Sequence, residues 1–143
     1  MSKESEKELR EKMRSVPLFS GLKDKQLKSI VSSGRRQAYT AGHVIESEGD
    51  SGVAFYLVLE GKVEVKRKGK VLAKLGSGDF FGEMSLLDKS PRSSDVVAVA
   101  PTVCFVLPSW DFMARVRTSD EFALNLLKTL VQRLRDSNKA LSD

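Results

Sequence analysis

The segment that decides the fold is GDFFGEMSLLDKSPRSSDVVAVA, which runs from Gly78 to Ala100. It places a glycine, an acid and an arginine among apolar residues, just ahead of a run that is typical of a β-strand. Gly82 permits a tight bend with close approach of the backbone, and EMSLL after it can form one helical turn. Because the first amides of such a turn point outward and attract anions, the segment predicts an anion site.

Arg92 and Ser93 add further groups that bind an anion. An arginine holds phosphate oxygens in a fork, and a serine donates from its hydroxyl and its amide. Glu83 stands nine positions before Arg92, and a carboxylate beside a phosphate is repelled unless it has another task, such as accepting from a sugar hydroxyl. Singly, Glu83 is better explained as a helix N-terminal charge and Arg92 as a surface charge. Together they predict a ligand with an anion and a hydroxyl.

Outward from this segment, residues 35–107 consist of short β-branched or aromatic runs separated by glycines, a pattern typical of a barrel or sandwich. KVEVKRKGKVLAKL is the clearest hairpin, because Val63 and Val65 alternate with polar residues and KG supplies a tight turn. We interpret its basic cluster KRKGK as a solvated turn and not as a binding patch. DVVAVAPTVCFVL predicts two more strands, broken at Pro101.

Helical patterns flank the strands on both sides. Residues 1–15 are interpreted as a charged helical extension, ahead of one domain over residues 16–143. Leu27, Ile30 and Val31 have helical spacing, and Gly34 is a plausible helix end. After Pro108, SWDFMARV predicts a short helix and TSDE begins a long one, so that the C-terminal helices cover about residues 109–141.

The long C-terminal helix carries one wide apolar face that turns polar at its end. Residues on this face recur at steps of four and three, namely Ala123, Leu127, Leu130, Leu134, Ser137 and Leu141, with Leu124, Val131 and Asn138 beside them. A face wider than a two-stranded seam predicts that the helix both covers the barrel and offers leucines to another surface. A homodimer through this helix is the favoured arrangement.

Composition excludes several classes of protein. With 143 residues, 41% apolar and 30% charged, the chain is long enough to fold as one globular domain. Its net charge of +5 favours an anionic partner, but the basic residues lack an aromatic-interleaved stripe, so direct nucleic-acid binding is not expected. The single cysteine, Cys104, predicts a buried strand residue in a cytoplasmic protein. Neither a leader nor a membrane-spanning run is found in the sequence.

A catalytic function is not predicted either. A barrel suggests a cupin-like metal site as the natural enzyme, and such sites use clustered histidines with carboxylates. His43 is the only histidine of the sequence, and it stands in a turn-like setting beside Gly42. We therefore expect neither a metal nor a cofactor.

The segment FGEMSLLDKSPRSS closely resembles the phosphate-binding cassette of cyclic-nucleotide-binding domains. This family includes bacterial catabolite-activator-type regulators and eukaryotic cyclic-nucleotide-dependent kinases and channels. The resemblance continues through GHVIESEGDSGVAFYLVLEGKVEV and covers roughly residues 16–141. It implies a mainly β fold with flanking helices: an eight-stranded, jelly-roll-like β-roll with short N-terminal helices and a long C-terminal helix.

By position, the resemblance implies that Glu83 takes the ribose 2′-hydroxyl and Arg92 the cyclic phosphate of a nucleotide. Further residues implied at the site are Gly82, Met84, Ser85 and Ser93 in the phosphate cradle, and Val65 and Leu72 at the wall. For Val65 and Leu72, plain barrel core is an equally good explanation. Two departures are small: Ser94 stands where the family usually has alanine and adds a hydroxyl near the phosphate, and Met84 replaces a branched aliphatic residue.

The implied ligand is a cyclic purine nucleotide, with cAMP favoured and cGMP as the alternative. In catabolite-activator-type relatives a TS pair in the long helix meets the adenine amino group, and Ser137 with Asn138 resembles this pair. Ser93 weakens the preference for cAMP over cGMP, because relatives selective for cGMP also carry a hydroxyl residue after the arginine. Of almost equal weight is the interpretation that Ser137 and Asn138 belong to a solvated helix end.

The expected output is a ligand-induced movement of the C-terminal helix. A DNA-binding helix-turn-helix would follow that helix, and the sequence stops at Asp143, so we expect a stand-alone sensor or part of a larger protein with an effector domain. A third interpretation is an interaction scaffold that binds no nucleotide. Such scaffolds usually lack the glutamate or the arginine, and both are present here.

Overall fold

The computed structural model describes residues 2–142, with the side chains of residues 2–139. Eight strands form two four-stranded antiparallel sheets, flanked by five α-helices and one 3-10 helix at Pro17–Phe19. The helices are α1 (Lys3–Arg14), α2 (Asp24–Ser33), α3 (Glu83–Asp88), α4 (Ser109–Thr118) and α5 (Asp120–Ser142). The strands are β1 (Arg35–Tyr39), β2 (Val44–Glu46), β3 (Ala54–Glu60), β4 (Val63–Arg67), β5 (Lys70–Leu75), β6 (Phe80–Phe81), β7 (Asp95–Ala98) and β8 (Thr102–Pro108).

The two sheets have the strand orders β1-β8-β3-β6 and β2-β7-β4-β5. The predicted hairpin is confirmed as β4 and β5, with Val63 opposite Leu75 and a turn at Lys68 and Gly69, both of which have positive φ. The predicted break at Pro101 separates β7 from β8. The eight-stranded roll expected from the resemblance is therefore the fold of this chain.

Strand β3 explains why its sequence AFYLVLE is apolar throughout. Successive side chains of a strand point to opposite faces. Phe55 and Leu57 pack with the helices, whereas Tyr56 and Val58 pack between the sheets with Phe81, and all five are buried. β3 is thus buried on both faces, and it brings the neighbouring β6 and the start of α3 to the roll interior.

The larger hydrophobic core lies between the first sheet and the helices. Leu9 and Met13 of the N-terminal helical extension are fully buried in this core, together with Leu27 of α2 and Phe112 of α4. Helix α2 ends with Gly34 as its cap, as the sequence predicts. Helix α1 therefore shares one core with the roll. None of the helices described is long and apolar enough to cross a membrane.

Helix α5 divides the wide apolar face that its sequence predicts into two narrower ones. Phe122 and Leu126 are buried in the core, and Leu130 packs against it. A second row stays 48–62% exposed, formed by Leu124, Leu127, Val131 and Leu134. The core covers only one side of this face and leaves leucines exposed on the other, as the sequence predicts; Leu141 lies outside the described side chains. The helix begins one residue after Ser119, whose hydroxyl accepts from the Phe122 amide.

Candidate functional site

Gly82 begins the site by turning the chain from β6 into α3. It has φ +91°, and a Cβ at this position would lie 2.9 Å from the Ala54 carbonyl oxygen and from Glu46 Oε1. Both the positive φ and the close packing require glycine. The bend and the helical turn over EMSLL are confirmed, since α3 starts at Glu83 and Ser85 is buried within it.

Arg92 is fixed by its backbone as well as by its side chain. Its amide donates to the Asp50 carbonyl and its own carbonyl accepts from the Gly49 amide, both at 2.8 Å. The residue as a whole is only 6% exposed. Nη1 donates to Ser85 Oγ at 2.6 Å and to the Gly82 carbonyl, and Nη2 donates to the Ala54 carbonyl at 2.9 Å. A permanent positive charge is therefore held inside the protein, beside the start of α3.

Glu46, the last residue of β2, pairs with this arginine. Its Oε1 lies 2.8 Å from Arg92 Nη2, and both side chains are almost fully buried. Burial raises the pKa of Glu46 to about 7; Arg92 opposes this shift, while the negative charges of Glu83 and Asp50 add to it. The ion pair thus does not fully compensate the burial of the carboxylate.

Glu83 is the most deeply buried carboxylate of the site, with 3% of the residue exposed. Its Oε1 accepts from Arg133 Nη1 of α5 at 3.0 Å. Burial raises the pKa of Glu83, and the charges of Arg133 and Arg92 lower it in part. Arg133 also donates to the Phe80 carbonyl at 2.8 Å and lies 4.2 Å above the Phe80 ring. Helix α5 is therefore attached to the site through one side chain.

The structure brings Gly82, Glu83, Ser85 and Arg92 together, and it places the other predicted cradle residues at the edge. Met84 is 64% exposed, Ser93 is exposed and Ser94 is half-buried.

The two predicted wall residues lie in different surroundings. Val65 is half-buried and packs against the cluster between the sheets, whereas Leu72 is 57% exposed on β5. Ser137 and Asn138 are exposed on α5. Ser137 follows Arg133 by one helical turn, and Asn138 follows Leu134 by one turn, so the two serve different faces of the helix.

Two residues of the candidate site, Glu46 and Arg133, are not predicted by the sequence. Glu46 places a charge in the strand segment VIE, which leads into the buried roll. A charge at such a position is the one feature of the sequence that indicates a role for Glu46. Arg133 precedes Ser137 by four positions, so the helical period places it on the same face as a residue already assigned to the site. Neither pairing is visible in the sequence, because Arg133 and Glu83 are 50 positions apart.

The residues considered for other chemistry lie elsewhere. Cys104 is buried in β8, as predicted, and burial raises the pKa of its thiol to about 12. His43 is exposed, with its ring 5.3 Å from that of Tyr39. Over the described part of the chain, no group of three His, Cys, Asp or Glu side chains is placed to hold a metal ion.

The family model described as the cyclic nucleotide-binding domain matches residues 36–119. This chain belongs to that family. The match spans β1 to the end of α4 and contains Glu83 and Arg92. Domains of this family bind a cyclic nucleotide as a regulatory ligand, so the chain is a cyclic-nucleotide-binding regulatory domain and not an enzyme.

Individual relatives agree with this assignment. The chain is 40% identical over 134 residues to the cyclic AMP receptor protein of Thermus thermophilus, covering 90% of this chain and 62% of that protein. It is 36% identical over 118 residues to a cyclic nucleotide-gated potassium channel of Rhizobium etli, covering 82% of this chain and 33% of the channel. The chain therefore spans about three fifths of one relative and a third of the other.

Solved structures show the same fold. The crystal structure of the Thermus thermophilus catabolite activator protein superposes with a TM-score of 0.76 at 40% identity, over 88% of this chain and 62% of that one. A cyclic nucleotide-binding domain from Methylobacillus flagellatus superposes with a TM-score of 0.82 at 28% identity, over 96% of this chain and 82% of that one. The second likeness covers nearly all of this chain and most of the other.

Proposed function

We propose that this domain senses cAMP, with the cyclic phosphate on Arg92 and the ribose 2′-hydroxyl on Glu83. The observation that carries the proposal is the burial of two opposite charges in one site: Arg92 is 6% exposed and Glu83, the first residue of α3, is 3% exposed. Burying charges is costly unless they are paired or hydrogen-bonded, and here Glu46 and Arg133 are the partners of Arg92 and Glu83. A ligand that bears both an anion and a hydroxyl suits the site because it offers Arg92 and Glu83 replacement partners. Ser85 lies within hydrogen-bond distance of Arg92 and belongs to the same cradle.

The role of Glu83 is tested with 2′-deoxy-cAMP. Wild type binds cAMP more tightly than its 2′-deoxy analogue, because the carboxylate accepts from the 2′-hydroxyl. Glu83→Gln loses most of this discrimination, whereas Glu60→Gln, an exposed residue at the end of β3, keeps it. A Glu83→Gln variant that discriminates as sharply as wild type assigns the carboxylate a purely structural role.

The choice of cAMP rests on the end of α5. Ser137 stands one turn beyond Arg133, which reaches Glu83, so a small movement of the helix brings its hydroxyl toward a nucleotide base. A Ser137→Ala, Asn138→Ala double variant loses roughly 1–3 kcal/mol for cAMP and less for cGMP, since unpaired polar groups cost about this much. Equal losses for both nucleotides indicate a lid that reads no base, and no loss for either indicates a helix end that never reaches the base.

A cGMP sensor is the second candidate. Ser93 follows the site arginine and is exposed beside it, and among the relatives is a cGMP-dependent protein kinase of Eimeria tenella, 36% identical over 97 residues, covering 68% of this chain and 10% of that protein. Parallel calorimetric titrations with cAMP and cGMP separate the two candidates. Tighter binding of cGMP by wild type assigns the domain to cGMP.

Movement of α5 is the proposed output. A ribose hydroxyl that engages Glu83 competes with Arg133 for the same oxygen, so binding loosens the attachment of α5 to the site. Because Cys104 is buried, cysteines introduced at the exposed Asp136 and Lys89 can be spin-labelled selectively. The distance between the two labels changes on addition of cAMP, and a distance that stays constant contradicts this output.

A homodimer through α5 is supported by its exposed row of apolar residues. Leu124, Leu127, Val131 and Leu134 are 48–62% exposed and follow each other at steps of three, four and three, the spacing of a coiled-coil seam. Leu127→Lys is expected to shift a dimer to monomer in analytical ultracentrifugation, whereas Gln132→Lys, outside the row, leaves it dimeric. A wild-type chain that stays monomeric at high concentration rules out the dimer.

The domain is proposed to act on an effector, because the relatives that it matches are longer than the matched region. A cytoplasmic location is supported by the buried free thiol of Cys104.

The competing scaffold that binds no nucleotide is favoured by one observation, that Arg92 already has partners within the protein. A calorimetric titration that shows no binding heat with either nucleotide supports the scaffold.

A further inference from the structure

Glu46 lies where it can compete with a ligand. Its Oε1 is 2.8 Å from Arg92 Nη2, and the same oxygen lies 2.9 Å from the point where a Cβ on Gly82 would stand. The carboxylate is therefore wedged between the guanidinium and the backbone at Gly82. The proposed function assigns the phosphate to Arg92, and Gly82 belongs to the phosphate cradle that the resemblance implies.

We propose that Glu46 is an affinity-determining residue of the nucleotide site, whose ionised carboxylate competes with the cyclic phosphate for Arg92. The inference rests on the proposed role of Arg92 as the phosphate ligand. Two anions beside one guanidinium share its charge and repel each other, so the ionised carboxylate opposes binding. Protonation of Glu46 removes this repulsion, so that the phosphate alone pairs with Arg92.

The contact between Glu46 and Arg92 is an ion pair without the geometry of a hydrogen bond. Among the described residues, no donor forms a hydrogen bond with the buried Glu46 Oε1. Arg92 donates instead to Ser85 Oγ and to backbone carbonyls. Because charge alone holds the carboxylate in place, its protonation requires no hydrogen-bond donor to be displaced.

The charged and titratable groups around Glu46 contribute to whether its pKa is raised or lowered. Those that influence it electrostatically come from every neighbouring element: Arg92 and Asp50 in loops, Glu83 of α3, Tyr56 of β3 and Tyr39 of β1. Burial is the main reason that the pKa of Glu46 is raised to about 7, with Arg92 opposing and the two carboxylates adding. A bound phosphate adds another negative charge and takes a share of Arg92, so it raises this pKa further.

Binding is therefore linked to uptake of a proton. At pH values above about 7 the free site holds Glu46 ionised, and the occupied site holds it more fully protonated. By linkage, the association constant for cAMP falls as the pH rises through this range, by at most tenfold per pH unit for one proton. Below this range both forms are protonated, and the affinity no longer depends on Glu46.

The test is calorimetric titration of the whole chain with cAMP at pH 6 and pH 8, using wild type and Glu46→Gln. The matched control is Glu48→Gln, which removes an exposed carboxylate that lies 3.5 Å from Arg67 and belongs to the same segment. We expect Glu46→Gln to bind about tenfold more tightly than wild type at pH 8 and to depend little on pH, a coupling of ordinary size. Glu48→Gln behaves as wild type does.

Proton uptake is measured on wild type alone, from the binding heats in two buffers with different ionisation enthalpies. This readout decides the question even if Glu46→Gln does not fold. Affinity of Glu46→Gln at pH 8 that is equal to or weaker than that of wild type overturns the inference, and so does binding to wild type without proton uptake. Where one of these two results overturns the inference, Arg92→Ala shows whether the proposed function is overturned with it. A loss of affinity in Arg92→Ala leaves the proposed function in place, whereas undiminished affinity overturns it as well.

Discussion

Replacing Arg133 with alanine tests the attachment of α5 to the site. The change removes a hydrogen bond of 3.0 Å to Glu83, one of 2.8 Å to the Phe80 carbonyl, and the contact with the Phe80 ring. Loss of one partner from a fully buried charge pair costs about 3–5 kcal/mol. Because 36% of the Arg133 side chain is exposed, we expect the smaller value of about 2–3 kcal/mol at pH 8.

The pH dependence distinguishes the charge pair from simple packing. Burial raises the pKa of Glu83 in the folded chain, and Arg133 is the main charge that lowers it. A raised carboxyl pKa means that stability falls as pH rises from the unfolded toward the folded value, and without Arg133 this fall is deeper. Near pH 4 the carboxyl is protonated in both variants, so only the Phe80 contacts are lost, about 1 kcal/mol.

The assay is urea unfolding followed by circular dichroism at pH 4 and pH 8. Arg135→Ala is the matched control, because Arg135 is an exposed arginine on the same helix. It is expected to change the free energy of unfolding by no more than about 0.5 kcal/mol. Equal destabilisation of Arg133→Ala at both pH values, or equal destabilisation by the control, would refute the pairing with Glu83.

Three further outcomes follow from the buried groups. Gly82→Ala destabilises the chain by at least about 2 kcal/mol in urea unfolding, because φ is +91° and the new Cβ would lie 2.9 Å from the Ala54 carbonyl oxygen. Glu46→Gln is more stable than wild type at pH 8, on the order of 2–3 kcal/mol, and equal to it near pH 4, since its carboxyl pKa is raised from 4.5 to about 7. Cys104 reacts with a thiol reagent only as fast as the chain unfolds, because its side chain is fully buried and the same burial raises the pKa of its thiol to about 12.

Features encoded within a few residues could be predicted from the sequence. Gly82 and Arg92 belong to one short segment, and the turn at Lys68 and Gly69 needs only two residues, so both are visible as local patterns. The division of β3 into two buried faces follows from the alternation of side chains in a strand.

Features that depend on how elements pack could not be predicted. Glu46 and Arg133 reach the site from β2 and α5, and no local pattern links them to Arg92 or Glu83. The sequence of α5 likewise does not show which side of its apolar face the core covers. Leu130 packs against the core, and the adjacent Val131 stays 48% exposed.

The central claim is that Arg92 binds the phosphate of a cyclic nucleotide. Calorimetric titration with cAMP of wild type, Arg92→Ala and the control Arg36→Ala, an exposed arginine of β1, tests it most directly. We expect one saturable site per chain in wild type and in Arg36→Ala. In Arg92→Ala we expect a loss of about 2–5 kcal/mol, roughly 30-fold or more, because a buried phosphate is left without its charge partner. Binding of cAMP by Arg92→Ala with the affinity of wild type would contradict the claim.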